Sequence, residues 1–226
     1  MKRFAELLDR LVQTPSRNGK LTLMTDYFRT TEDPDRGLAL AAITGDLDIA
    51  AVKPAMLRAL VIERIDPILF GYSYDYVGDL AETVSLVWPA SHAIDVTSTP
   101  QDGGVREGGR SSQHDSMTLT DVVHALQRAS RSDGPKVLAR LLDQTDIQGR
   151  FAIIKLVTGG LRIGVSARLA KQALADLGKV EVSEIEELWH GLSPPYGSLF
   201  GWLEGTSPKP EKTAKALFRP VMLSNP

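Results

Sequence analysis

The chain has 226 residues, with 26 Lys plus Arg against 28 Asp plus Glu and no Cys. Its formal net charge of -2, with 42% hydrophobic and 24% charged residues, is that of an ordinary globular protein. These figures exclude a disulfide scaffold, thiolate catalysis and Cys-based zinc sites, and no apolar run is long enough for a membrane span.

The opening Met1-Lys2-Arg3-Phe4-Ala5-Glu6 turns amphipathic and acidic at once, unlike a secretory leader, so a cytoplasmic protein is expected. Phe4, Leu7, Leu8, Leu11 and Val12 recur at helical spacing until Thr14-Pro15-Ser16. Ser16 or Asn18 can cap a second helix running to about Thr30. Asp33-Pro34 signals a third, over 36–44, which Gly45 closes. Lys53-Pro54 opens a fourth through Leu57, Leu60 and Val61, and 75–88 reads as one further helix stopped by Pro89.

Residues 90–116 differ: they are rich in Gly, Ser and Thr, poor in large apolar residues, and allow at most a short strand at 93–97. Helical stripes resume at Leu119, Val122, Val123 and Leu126, then at Val137, Leu138, Leu141 and Leu142 after Asp133-Gly134-Pro135. A short apolar segment covers 149–157. A helix beginning at Ile163 or Val165 runs to Leu177, and two more cover 183–191 and 196–205. From Thr206 the chain is rich in Pro and Lys and reads as a linker over 206–226. The expectation is an all-α helical domain over 1–205, with halves at about 1–89 and 117–205 joined by the loop 90–116.

Charge is uneven. Residues 1–20 carry five basic and two acidic side chains, 26–107 carry six against fourteen, and 128–171 carry nine against three. Such runs commonly form solvated helix faces, so the central basic run needs a second signal.

Several apparent motifs fail on their chemistry. Gly159-Gly160-Leu161-Arg162-Ile163-Gly164-Val165-Ser166 has the glycine spacing of a P-loop, but Val165 stands where its lysine must be, and no strand precedes it. Arg131-Ser132-Asp133-Gly134 resembles a Lys-x-Asp-Gly nucleotidyltransferase box, yet arginine stays protonated and cannot attack a phosphate. His92, His114, His124 and His190 are scattered, which leaves no metal-ligand set. Asp75, Asp79 and Glu82 would share one helical face, where pairing with nearby Arg is the commoner outcome than a cation. No catalytic constellation and no cofactor of its own are expected of this chain.

What remains is a phosphate-binding pattern. The Gly159-Gly160 turn leads into a helix start whose first amides lack intrahelical partners, flanked by Lys155 and Arg162 and continued by Arg168 and Lys171. Thr14 to Lys20 and Ser132 to Lys136 repeat the arrangement of small residues and cations at a helix start. Three basic helix starts suit a nucleic-acid backbone better than one compact ligand.

Phe151-Ala152-Ile153-Ile154-Lys155-Leu156-Val157-Thr158-Gly159-Gly160-Leu161-Arg162-Ile163-Gly164 resembles the signature segment in the N-terminal DNA-binding domain of ATP-dependent DNA ligases. Leu11 to Asn18, Asp26 to Arg29 and Ser73 to Thr83 are similar to the bacterial branch of that family, and Phe218 to Leu223 resembles its junction with an adenylation domain. The resemblance implies an all-helical module that holds the minor-groove side of nicked double-stranded DNA without sequence preference, in repair, replication or recombination. Its implied phosphate-facing residues are Ser16, Arg17, the helix start around Lys136, Thr158, Gly159, Gly160, Arg162 and Gly164, and the basic helix-start pattern adds Lys20, Lys155 and Arg168 to the expected DNA-binding set. The parent ligase would use ATP and Mg²⁺, with adenylation and oligonucleotide-binding domains as partners of this module. Here no Lys-x-Asp-Gly-x-Arg box is present, so the chain is expected to be non-catalytic by itself. The resemblance also implies a monomer located with the nucleoid. A helical protein-interaction module using its basic stripe on an acidic partner is the alternative.

Overall fold

Twelve helices and no strand make up residues 1–49, 52–89, 117–159 and 161–211, the part of the chain that this computed structural model describes. They are α1 (Lys2–Gln13), α2 (Arg17–Thr30), α3 (Asp35–Thr44), α4 (Pro54–Ile62), α5 (Pro67–Val77) and α6 (Leu80–Val87), followed by α7 (Leu119–Arg128), α8 (Gly134–Asp143), α9 (Ile147–Val157), α10 (Ala167–Gly178), α11 (Val182–Trp189) and α12 (Gly197–Leu203). The all-α expectation holds. None of the described helices is long and apolar enough to cross a membrane.

Side-chain caps set many of the starts. The Ser16 hydroxyl accepts from the Gly19 amide at 3.0 Å, and Thr118 and Asp121 cap each other's amides at the head of α7. Asp66 accepts from Ile68 and Leu69, Asp146 from Gly149, and Ser166 from Leu169. The segment 75–88 is two helices and not the single one its periodicity suggests. Gly78 ends α5 in the left-handed region at φ 79°, and Asp79 then caps α6 by accepting from the Glu82 amide at 3.0 Å. Asp75, Asp79 and Glu82 therefore do not share a helix face. The suggested strand at 93–97 and the rest of the loop 90–116 lie outside the described residues. Residues 206–211, read from sequence as linker, begin folded back: Lys209 pairs with Glu184 of α11 and lies 5.0 Å over the Trp202 ring.

One hydrophobic core runs through both halves of the chain. Helix α9 packs against α1 and α6, α10 against α2 and α3, and α7 against α3, so the halves interlock. Hydrogen bonds reinforce this. The Asp35 carboxylate accepts from the backbone amides of Leu119 and Thr120 at the head of α7, and the Thr25 hydroxyl donates to the Ala173 carbonyl.

Arg36 is buried beneath α12. It donates to Asp33, Glu204 and the Phe28 carbonyl, and its guanidinium sits 4.3 Å over the Phe200 ring. Next to it, Gly37 meets the backbone of Pro195 so closely that an added Cβ would lie 1.6 Å from the Pro195 carbonyl oxygen. Each tryptophan carries a cation on its ring: Arg64 over Trp88, Lys171 over Trp189 and Lys209 over Trp202.

Candidate nucleic-acid interface

Helix α9 is buried along most of its length and ends at Thr158, whose hydroxyl donates to the Ile154 carbonyl at 2.8 Å. The chain then turns through three left-handed positions, Gly159 (φ 73°), Arg162 (φ 47°) and Gly164 (φ 65°), before Ser166 caps α10. Gly160 lies outside the described residues. Glycine adopts this region freely, and an L-residue pays about 1–2 kcal/mol for it. An exposed Arg kept at a left-handed position is local strain of the kind that collects at binding sites.

Lys20 holds this turn in place. It is buried on α2, and its ammonium donates to the carbonyls of Ile163 at 2.9 Å and Gly164 at 3.0 Å. A Cβ on Gly164 would come within 2.4 Å of the Lys20 Nζ, so the glycine permits both the backbone conformation and the lysine's approach. The Lys20 bond and the packing of α2 on α10 bring the first turn of α2 beside the turn that precedes α10. Two helix starts, capped by Ser16 and Ser166, thus lie near each other, with their partial positive charge and free amides. Arg17, Arg162 and Arg168 are exposed here and form no ion pair among the described residues.

Lys155 takes a different position from the one its flanking place in the sequence suggests. It is buried and donates to the Asp79 carboxylate at 2.7 Å, with its ammonium 5.3 Å from the Phe151 ring. The pair lines a groove of about 240 Å³ together with Pro54, Tyr74, Thr158 and Arg162. Burial pushes the Asp79 carboxyl upward, but hydrogen bonds from Lys155 and the backbone, together with the lysine's charge, outweigh it and hold the group below its ordinary range. Lys20 thus braces the turn, while both lysines have their charges engaged within the chain. Lys136 is exposed in the first turn of α8, which packs on α7, α9 and α4.

Asp79→Asn isolates this ion pair, because Asn retains the helix cap. It is expected to lower stability by about 1 kcal/mol near neutral pH, a figure reduced by the partial exposure of Asp79. The folded carboxyl binds its proton less readily than the unfolded one. The difference between the two proteins therefore persists above the ordinary value of 3.8 and fades as pH falls through the lower folded value. Thermal unfolding of both proteins from about pH 7 to about pH 3 measures it.

Sequence reading missed Ser166, Asp79 and Tyr74 as parts of this region. Ser166 directly before the 167–178 stripe was a readable cap, whereas Tyr74 and Asp79 reach the site only through tertiary packing. His124 and His190 are exposed, and no cluster of three or more His, Asp or Glu side chains able to hold a metal occurs among the described residues. The Arg131 to Gly134 stretch is a turn: Ser130 donates to Asp133, and α8 follows. It offers no nucleophilic lysine for an ATP-derived adenylate.

A family model described as "DNA ligase N terminus" matches residues 1–175. The chain is also 25% identical over 203 residues to a probable DNA ligase of Opitutus terrae, an alignment covering 76% of this chain and 20% of that protein. The chain thus spans about one fifth of the length of this relative.

Proposed function

The chain belongs to the DNA ligase N-terminus family, and on that premise we propose that it is the DNA-binding module of an ATP-dependent ligase. It holds nicked duplex DNA by phosphate and minor-groove contacts and performs no chemistry itself. The observation that carries this reading is the Lys20-braced turn, with three exposed arginines beside two helix starts. Arg17, Arg162 and Arg168 supply the charge, and the open face of Gly159 lets a phosphate oxygen approach the backbone. Lys136 extends the contact along the duplex from α8. Contacts of this kind are blind to base sequence, as sealing breaks anywhere in a genome requires.

ATP and Mg²⁺ belong to the parent ligase's adenylation and oligonucleotide-binding domains, which would join this module, as a monomer, around the DNA. The residues present here do not suit that chemistry. Incubation with labelled ATP and Mg²⁺ is therefore expected to leave no covalent adenylate on this chain, and a labelled band at its mass would refute the non-catalytic assignment.

The decisive test is a salt titration on nicked duplex followed by fluorescence anisotropy. The log-log slope should be about -0.9 for each phosphate neutralised. Arg162→Ala should weaken binding about tenfold and flatten the slope by about one unit. Unchanged affinity and slope would overturn the proposed site. A flexible polyanion of equal charge density should bind more weakly than nicked duplex, whereas an acidic-partner module would not distinguish them.

A further inference from the structure

Helices α1, α6 and the start of α9 enclose a second groove, of about 340 Å³, that shares no residue with the turn described above. Three of the more exposed large apolar side chains line it, one from each helix: Val12 at 54%, Leu86 at 55% and Ile147 at 51% exposure. Half-buried Phe151 also contributes to the lining. Isolated exposed apolar residues need no explanation, but three converging on one concavity mark an interaction surface.

Both charged side chains in the lining, Asp9 and Glu82, are carboxylates. Asp9 is held in place by the Gln13 side-chain amide, which donates to it at 2.9 Å. Glu82 is exposed and forms no ion pair among the described residues. An apolar trough with acidic walls repels a phosphate backbone and attracts a cationic, amphipathic ligand. The volume suits a few apolar side chains, such as those one helix face presents at i, i+3 and i+4.

We propose that this groove docks a basic amphipathic helix of a partner protein, its apolar side chains against Val12, Leu86 and Ile147 and its Lys or Arg residues against Asp9 and Glu82. The surface would recruit a second protein to the ligase module independently of the DNA contact. Charge complementarity selects this occupant over a second copy of the chain, whose matching groove would set carboxylates against carboxylates.

The probe is a fluorescein-labelled helical peptide of about fifteen residues with a Leu stripe and Lys flanks. Two controls accompany it: a scrambled isomer of the same composition, and a version with Glu in place of Lys. The basic amphipathic peptide should bind the chain at least about tenfold more tightly than either control. Leu86→Gln and Ile147→Gln, both at exposed positions, should each weaken it about fivefold, and Glu82→Lys should shift preference toward the Glu peptide. Equal binding of the scrambled isomer would overturn the proposal, since charge alone would then suffice. So would an absence of effect from Leu86→Gln. Self-association in sedimentation that Leu86→Gln abolishes would replace the partner with a second copy. Loss of nicked-duplex affinity in Leu86→Gln would assign the groove to nucleic acid instead.

Discussion

Gly37→Ala is expected to destabilise the chain by about 3 kcal/mol or more, lowering the unfolding temperature by about 6–12 °C. The new methyl group would sit 1.6 Å from the carbonyl oxygen of Pro195 and 2.5 Å from its carbonyl carbon, and both are backbone atoms. Neither neighbour can easily withdraw. Tyr196 donates its hydroxyl to Asp46 at 2.8 Å and stacks on Trp189, which fixes one end of that segment. On the α3 side, Arg36 is held by Asp33 and Glu204, and residues 36–41 are all buried. Relief would have to come from separating α3 and the 193–196 turn, which exposes core on both sides. Scanning calorimetry decides the matter: a shift within about one degree would mean that this turn moves freely.

Lys20→Met is expected to cost about 2 kcal/mol and to weaken nicked-duplex binding about tenfold. Methionine keeps much of the apolar stem but removes the ammonium, so the Ile163 and Gly164 carbonyls lose the donor that holds the turn against α2. The salt dependence separates this role from that of the exposed arginines. Because the Lys20 ammonium is already engaged by two carbonyls, its loss is expected to leave the log-log slope unchanged, while Arg162→Ala flattens it. A flattened slope for Lys20→Met would make this lysine a direct contact. Gly164→Ala should produce a related, smaller loss of affinity, since its Cβ would displace the end of the lysine side chain and the residue would occupy a left-handed position.

Much of the helix order was legible because local signals agreed. Ser16, Pro54 and the 119–126 stripe sit where caps and periodicity placed them. The split at Gly78-Asp79 was missed, although a glycine followed by a capping aspartate carries the needed information, because apolar periodicity continues across the break. Helix α5 also carries a start signal in Asp66-Pro67, where the aspartate caps and the proline suits the first turn.

The site was legible in outline only. A count of basic residues treats Lys20, Arg150 and Lys155 like their neighbours, yet all three are buried and engaged. Arg150 donates to the Leu142 and Trp88 carbonyls, and Lys155 to Asp79. Lys155 had a local warning, since it interrupts the apolar run Ile153-Ile154-Lys155-Leu156-Val157. Lys20 had none, because its partners lie 143 and 144 residues away. Setting these three cations and Asp79 aside leaves the remaining balance more acidic, so DNA binding has to rest on where the outward cations gather and not on the total. Beside the Lys20-braced turn, the exposed Arg17, Arg162 and Arg168 set the local charge.

The cations stacked on Trp88, Trp189 and Trp202 give the chain three built-in optical reporters. Each indole sits in the electric field of a residue on a different segment, so separation of the two changes the ring's surroundings and its emission. Ultraviolet-excited fluorescence of the unlabelled protein, with single tryptophans replaced in turn by Phe, can therefore time the release of α6, α11 and α12 separately.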